Sequence, residues 1–241
     1  MATYQSSFGK VKVFEDFTGV NPDEVWNAGG FNLGAVSVVS VNEGSVEDTV
    51  DESGGVVAIT LDTADDDNVA IYTSPAQISN GPLVMEARFK TDNISDLALF
   101  VGFTETLDGT TPVMPAEFAT TTMTYNGTGG MVGLQFDSDG TTDDWRAVMG
   151  DGGAAKLDSS NGIRANSAAV ADEYDIVRVE IDPSTAARCY LNGVLVKSFA
   201  TGGLTATDLF FPVLMCENRA GSAAVLEVDY FYSEHNRDWA E

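Results

Sequence analysis

YDIVRVEIDPSTAARCYLNGVLVKSFA, residues 174–200, is the stretch that decides the fold. Val177, Val179 and Ile181 alternate with Arg178, Glu180 and Asp182, the period of two that marks a strand with one face in a core. Asp182-Pro183-Ser184-Thr185 ends it, because proline fixes its own φ and donates no ladder hydrogen bond. A second strand is predicted over 187–191 and a third over 194–199. Asn192-Gly193 joins them, the pair that most readily takes the positive φ both central residues of a type I′ turn require. The stretch is an antiparallel meander with one polar and one apolar face.

The same punctuation recurs on both sides of it. Lys12–Phe17 (KVFEDF) reads as a first strand, and 36–41, 46–50, 56–61 and 69–73 as short strands between Gly, Asn and Asp turns. Residues 83–90 (LVMEARFK) alternate cleanly. Residues 97–103 are apolar throughout, as in a strand covered on both faces. Residues 104–122, rich in Thr and Pro, read as a long loop that could rim a binding site. Strands are expected at 131–136 and 145–149, around Lys156 and Ile163, and at 209–216 and 225–232 (VLEVDYFY). No run of ten residues carries a helical period with caps, and no fixed repeat is visible. Short strands at even spacing predict an all-β chain, an antiparallel two-sheet jelly-roll sandwich. Residues 1–10 read as a polar arm and 11–241 as a single jelly-roll domain.

The charge narrows the function. With 37 acidic and 12 basic side chains the net charge is −25. Such a surface is repelled by nucleic-acid phosphates and anionic lipid, so neither partner is expected. No apolar stretch reaches the roughly 18 residues of a membrane-spanning helix. The opening MATYQSSFGKVKVFEDF lacks the apolar core of a cleaved secretory signal, so the chain is expected to be made and kept in a cytoplasm, or to leave it by a route other than a cleaved signal. There Cys189 and Cys216 are expected to be buried thiols, not a disulfide.

Four segments together, FEDF, LVMEARFK, the 174–200 meander and LEVDYFY, resemble the concanavalin A-like (laminin G-like) jelly roll of lectins and glucanases. With the segment VGLQFDSDGTTDDWRAVMGDGGAAKLDSSNGIRA, the chain is similar to domains of this kind in bacteriophage virion proteins. That resemblance implies a non-enzymatic structural protein of a phage particle, a capsid decoration or surface projection, made in the host cytoplasm. Its partners would be capsid or other virion proteins, together with further copies of itself. A carbohydrate-binding, lectin-like module is the alternative, with glycans as partners, and a divergent glycan hydrolase a third reading.

Residue by residue, the chemistry is sparse. The glucanases of the superfamily use a Glu-x-Asp-x-x-Glu strand. Here Glu227 and Asp229 would share a strand face, but Tyr232 stands where the third carboxylate belongs, and paired acids are what glycoside hydrolysis needs. His235, the only histidine, has no nucleophile motif to serve and reads as a surface residue. One His and two scattered Cys do not make a zinc site, and Gly127, Gly129 and Gly130 lack the Lys-Ser/Thr of a phosphate loop. Asp137, Asp139 and Asp143 alternate around Gly140 and are the candidate metal ligands, calcium being the cofactor such hard oxygens would select; the same letters describe an Asp-rich hairpin turn. Consecutive Asp65, Asp66 and Asp67 fit a cation less well. Trp26, Tyr125 and Trp145 are the candidate aromatic platforms for sugar, although a large aromatic at the start of a strand, as Trp145 is, more often belongs to a core.

Overall fold

A computed structural model describes residues 3–4, 9–18, 24–26, 29–40, 44–48, 54–109, 111–126, 129–151, 154–155, 163–221 and 223–237; side chains are not described for 3–4, 24–26, 29–31, 48, 154–155 and 163–167. In chain order the strands are β1 (Thr3–Tyr4), β2 (Lys10–Glu15), β3 (Glu24–Trp26), β4 (Gly29–Leu33), β5 (Val36–Ser40), β6 (Gly44–Asp48), β7 (Val57–Thr60), β8 (Asn68–Tyr72), β9 (Ala76–Gln77), β10 (Leu83–Thr91) and β11 (Leu97–Thr104). They continue as β12 (Ala116–Ala119), β13 (Thr122–Tyr125), β14 (Met131–Asp137), β15 (Asp144–Asp151), β16 (Ala154–Ala155), β17 (Ile163–Ala168), β18 (Asp175–Ile181), β19 (Ala187–Leu191), β20 (Val194–Phe199), β21 (Leu209–Asn218) and β22 (Val225–Asn236). Only a short 3₁₀ turn, Ile78–Asn80, interrupts the β structure among the described residues.

Two ten-stranded antiparallel sheets result. Sheet A runs β20-β19-β18-β10-β22-β7-β6-β3, with β2 also on β22 and β1 on β2; sheet B runs β16-β15-β14-β11-β21-β8-β5-β4, with β17 on β15 and β9 on β21. The chain crosses between sheets repeatedly, from β10 to β11, from β17 to β18 and from β20 through β21 to β22. This is the two-sheet jelly roll the alternation predicts. The meander lies as read: Asn192 and Gly193 take φ of 50° and 77°, the left-handed pair of a tight hairpin. The arm reading changes in one respect, since Lys10 belongs to β2 and Thr3–Tyr4 pair back onto Phe14 and Val13. Lys156, where a short strand was expected, lies outside the described residues.

Inward-facing residues of both sheets form the main core. Leu83, Met85, Ala87 and Phe89 of β10 meet Val177, Val179 and Ile181 of β18, with Leu226, Val228 and Phe231 of β22. Trp145 sits fully buried at its centre, its ring centroid 6.0 Å from those of Phe89 and Phe136. Its indole N–H donates to Asp175 Oδ2 at 2.9 Å, which satisfies the one polar atom the core encloses there.

A second cluster lies on the other side of sheet B. Phe100, Met215, Val213, Ala98 and Val148 face away from the main core and meet Met114, Ala116, Phe118 and Met123. Met114, Ala116 and Phe118 come from the 104–122 segment and Met123 from just beyond it; the segment is not a plain loop. It folds into the β12–β13 hairpin, laid over sheet B as a cover. Its sequence conceals this because its two strands are only four residues each. The cover explains why every residue of β11 and β14 is buried. Gly102 pairs with Gly133 beneath it; a Cβ on Gly133 would strike the Val101 carbonyl and the Phe100 ring, so the close approach requires glycine.

Candidate functional site

The outer face of sheet A is open, and its side chains are set by register. Phe14, Tyr232, Glu86, Arg178, Tyr190 and Leu195 are successive cross-strand partners on β2, β22, β10, β18, β19 and β20. Because strand neighbours lie about 4.8 Å apart, this row places aromatics on both sides of a charged centre. A groove of about 520 Å³ opens there, walled by Glu86, Arg178, Glu180, Tyr190, Asn192 and Tyr230, with Ile176 and Gly193. Arg178 Nε lies 2.8 Å from Glu180 Oε1, and its Nη1 lies 3.3 Å from Glu86 Oε2. Tyr230 donates its hydroxyl to Glu86 Oε1 at 2.8 Å. Burial, then Glu86, raises the Tyr230 pKa above its ordinary value, so the hydroxyl stays a donor. The groove therefore presents two aromatic rings and a planar, hydrogen-bonding ladder between them.

Much of the charge on this face is paired. Its ion pairs join Lys10, Lys12, Arg88, Lys90, Arg178 and Arg188 to Glu86, Glu180, Asp182, Glu227, Asp229 and Glu234. Six bases cancel six of the 37 acids, so the other 31 acids and six bases carry the whole −25.

The carboxylates singled out for catalysis belong to this balance. Glu227 lies 3.1 Å from Lys90. Asp229 is the extra residue at a bulge, since Val228 pairs with Phe89 and Tyr230 with Arg88, and it pairs with the Arg88 guanidinium. Each is matched to a base of its own.

The candidate metal ligands part company. Asp137 is fully enclosed: its Oδ2 accepts from Phe118 N and from Arg219 Nη2, both at 2.7 Å, and its Oδ1 from Asp139 N at 3.1 Å. Asp139 and Asp143 are exposed. Among the described residues no three His, Cys, Asp or Glu side chains stand so as to hold a metal, and Asp137, Asp139 and Asp143 are not gathered. The positive charge that Asp137 meets is the Arg219 guanidinium, which also lies 2.5 Å from Glu217 and 4.0 Å from Glu117. The Asp-rich turn instead holds the cover: Thr120 N donates to Asp139 O at 2.9 Å and Thr141 N to Thr120 O at 2.8 Å.

Of the aromatic candidates, Trp145 is core, Tyr125 packs half-buried against the second cluster, and the Trp26 side chain lies outside the described residues. Cys189 and Cys216 are free and buried in the main core. Tyr190 and Tyr230 were missed. Their outward position was legible from strand alternation, but their placement beside Glu86 and Arg178 needs the register of four strands that lie far apart in sequence.

No family model matches the chain, and no curated protein does. Solved structures do. A protein of unknown function from Shewanella oneidensis MR-1 superposes with a TM-score of 0.64 at 14% identity, covering 97% of this chain and 90% of that one. A non-specific endo-beta-1,3(4)-glucanase follows at 0.56 and 10%, covering 98% and 95%. Peanut lectin gives 0.53 and 14%, covering 93% and 97%. At such identities the likeness is one of architecture. Two antiparallel sheets, matched over nearly their whole length to lectin and glucanase structures, give this chain the concanavalin A-like jelly-roll fold.

Proposed function

We propose that the protein is a non-catalytic carbohydrate-binding module that takes its ligand on the outer face of sheet A. The observation that carries this is the groove between Tyr190 and Tyr230, whose strands lie three spacings apart, about 14 Å, with the Glu86–Arg178–Glu180 ladder between them. Apolar faces of sugar rings stack on tyrosine, and sugar hydroxyls take paired bonds from planar acid, guanidinium and amide groups. A groove whose charges are paired with one another suits an uncharged polyol, which gains nothing from a net field. The likeness to lectins and to glycan-acting enzymes agrees with this reading.

Docking onto another protein, as a virion surface component would, competes for the same face. Val194 at 68% exposure and Leu195 at 49%, beside Tyr190, favour it. A glycan array probed with the full chain decides between them. The glycan reading expects binding to at least one oligosaccharide, lost about tenfold or more in Tyr190→Ala with an unchanged melt. An array with no signal, together with co-sedimentation with assembled capsids that Leu195→Asp abolishes, would replace it with the docking reading.

A further inference from the structure

A second cavity lies where β22 leaves sheet A, and its chemistry is unlike the rest of the surface. It measures about 350 Å³, within the range of small-molecule sites. Pro75, Ala76 and Leu209 give it an apolar wall, and Leu209 is half exposed. Gln77, Asn80 and Asn236 supply amides, His235 and Arg237 the cationic groups, and not one lining residue is acidic in a chain with 37 acids.

Among the described residues, two of those groups keep unfilled hydrogen-bonding capacity. Lys10, Lys12, Arg88, Lys90, Arg178, Arg188 and Arg219 are each ion-paired, whereas Arg237 makes no ion pair among the described residues. His235 Nδ1 lies 3.1 Å from the Asn236 carbonyl, which can only accept, so that nitrogen carries the hydrogen. Its Nε2 is buried with no partner, a state costly enough to be rare. The amides are braced already: Gln77 Nε2 donates to Thr207 O at 2.6 Å and Asn236 Nδ2 to Asn80 O at 2.9 Å. The wall is preformed.

We propose that this cavity binds a carboxylate carried on a short apolar stem. The planar carboxylate matches a guanidinium fork in two parallel bonds. The carboxylate lies beside the His235 ring, and the stem lies on Leu209, Pro75 and Ala76. A phosphate dianion fits less well, since the field of a −25 protein opposes each added negative charge. A free organic acid and a peptide C-terminus share this chemistry.

His235 is the sole histidine, so its ring gives a single reporter in NMR. The intact protein is titrated with isovalerate, with isovaleramide, and with a leucine-ended tripeptide as acid and as amide. The proposal expects a saturable shift of the His235 resonances with the acids and none with the amides, and at least about tenfold weaker binding in Arg237→Gln. Saturation by isovalerate alone identifies a small-acid site; saturation by the peptide acid identifies a chain-end site. Equal response to acid and amide, binding that Arg237→Gln leaves intact, or no saturation with either acid overturns it. Because Arg237 is exposed, that variant folds, and because the cavity shares no residue with the Tyr190–Tyr230 groove, its failure says nothing about glycan binding.

Discussion

The two outer faces of this sandwich handle charge in opposite ways. On sheet A the bases Lys10, Lys12, Arg88, Lys90, Arg178 and Arg188 each stand opposite an acid, and several stay partly in water: Lys10, Arg178 and Arg188 are 36–42% exposed. On sheet B the hairpin covers the face, and the charges at its margin are buried, with the Arg219 side chain 7% and that of Glu217 2% exposed. The four carboxylates whose pKa is raised, Glu105, Glu117, Asp139 and Glu217, all flank the cover, on its base, its strands or the turn that holds it. On sheet A, burial tends to raise Glu234, but Lys10, Tyr232 and Lys12 outweigh it and bring it down to about 2. Same fold, two solutions: sheet A keeps its charges cheap and available to a ligand, while sheet B locks its charges into the structure.

The difference should be plainest when the hub is removed. Arg219→Met leaves Glu217 and Asp137 buried without their counter-ion, a change that costs about 3–5 kcal/mol in comparable sites. For a chain of this size that is a fall in Tm on the order of 10 °C, read by calorimetry at pH 7. A loss under about 1 kcal/mol, the value of an exposed pair, would mean that water reaches Arg219 and that the two faces do not differ.

The pH dependence sharpens the same contrast. Burial, against the pull of Arg219, pushes Glu217 up to about 7. Its folded pKa lies above the unfolded value of roughly 4.3, so the folded state holds the proton better. Its stabilising contribution is complete below about pH 4.3 and is lost as pH rises through 7. Glu234 runs the other way, contributing above about pH 4.3 and failing as pH falls through 2. Stability should therefore decline from pH 5 to 7.5. Glu217→Gln should flatten that decline by on the order of 2 kcal/mol, as measured by urea melts across the window. Parallel wild-type and variant slopes would assign the decline to Glu105, pushed up to about 7 by its own burial, or to the general −25 charge instead.

What was legible in the sequence follows the same divide. The sheet A meander and β10 could be read within a residue because alternation and an Asn-Gly turn are local signals. The all-apolar 97–103 segment was rightly read as covered on both faces. What covers it was not, because Ala116–Ala119 and Thr122–Tyr125 are too short to show a period and their anchors are distant. Gln135 Nε2 donates to the Ala116 carbonyl, and Arg146 stacks 3.9 Å over the Phe118 ring. Asp137 was named as a candidate metal ligand; a run of aspartates gives no hint that an arginine 82 residues away will pair with it. The groove failed to appear for the same reason, since cross-strand rows join residues that the chain separates.

The smallest effect is expected on sheet A. Glu234 has three partners: Lys10 at 2.6 Å, Lys12 at 2.9 Å and the Tyr232 hydroxyl at 2.6 Å. Lys12→Ala removes one of them from a site where the lysine is 35% exposed, so the carboxylate keeps two donors and water replaces the third. The cost should stay below about 0.5 kcal/mol and vanish in molar salt, where the screening length shrinks to about 3 Å. Melts of wild type and variant at low and high salt check this. A cost several times larger, persisting in salt, would require that water be kept from this face. Among the described residues no hairpin covers sheet A, so a second copy of the chain is the first candidate for the excluding surface, and the excess would then grow with protein concentration.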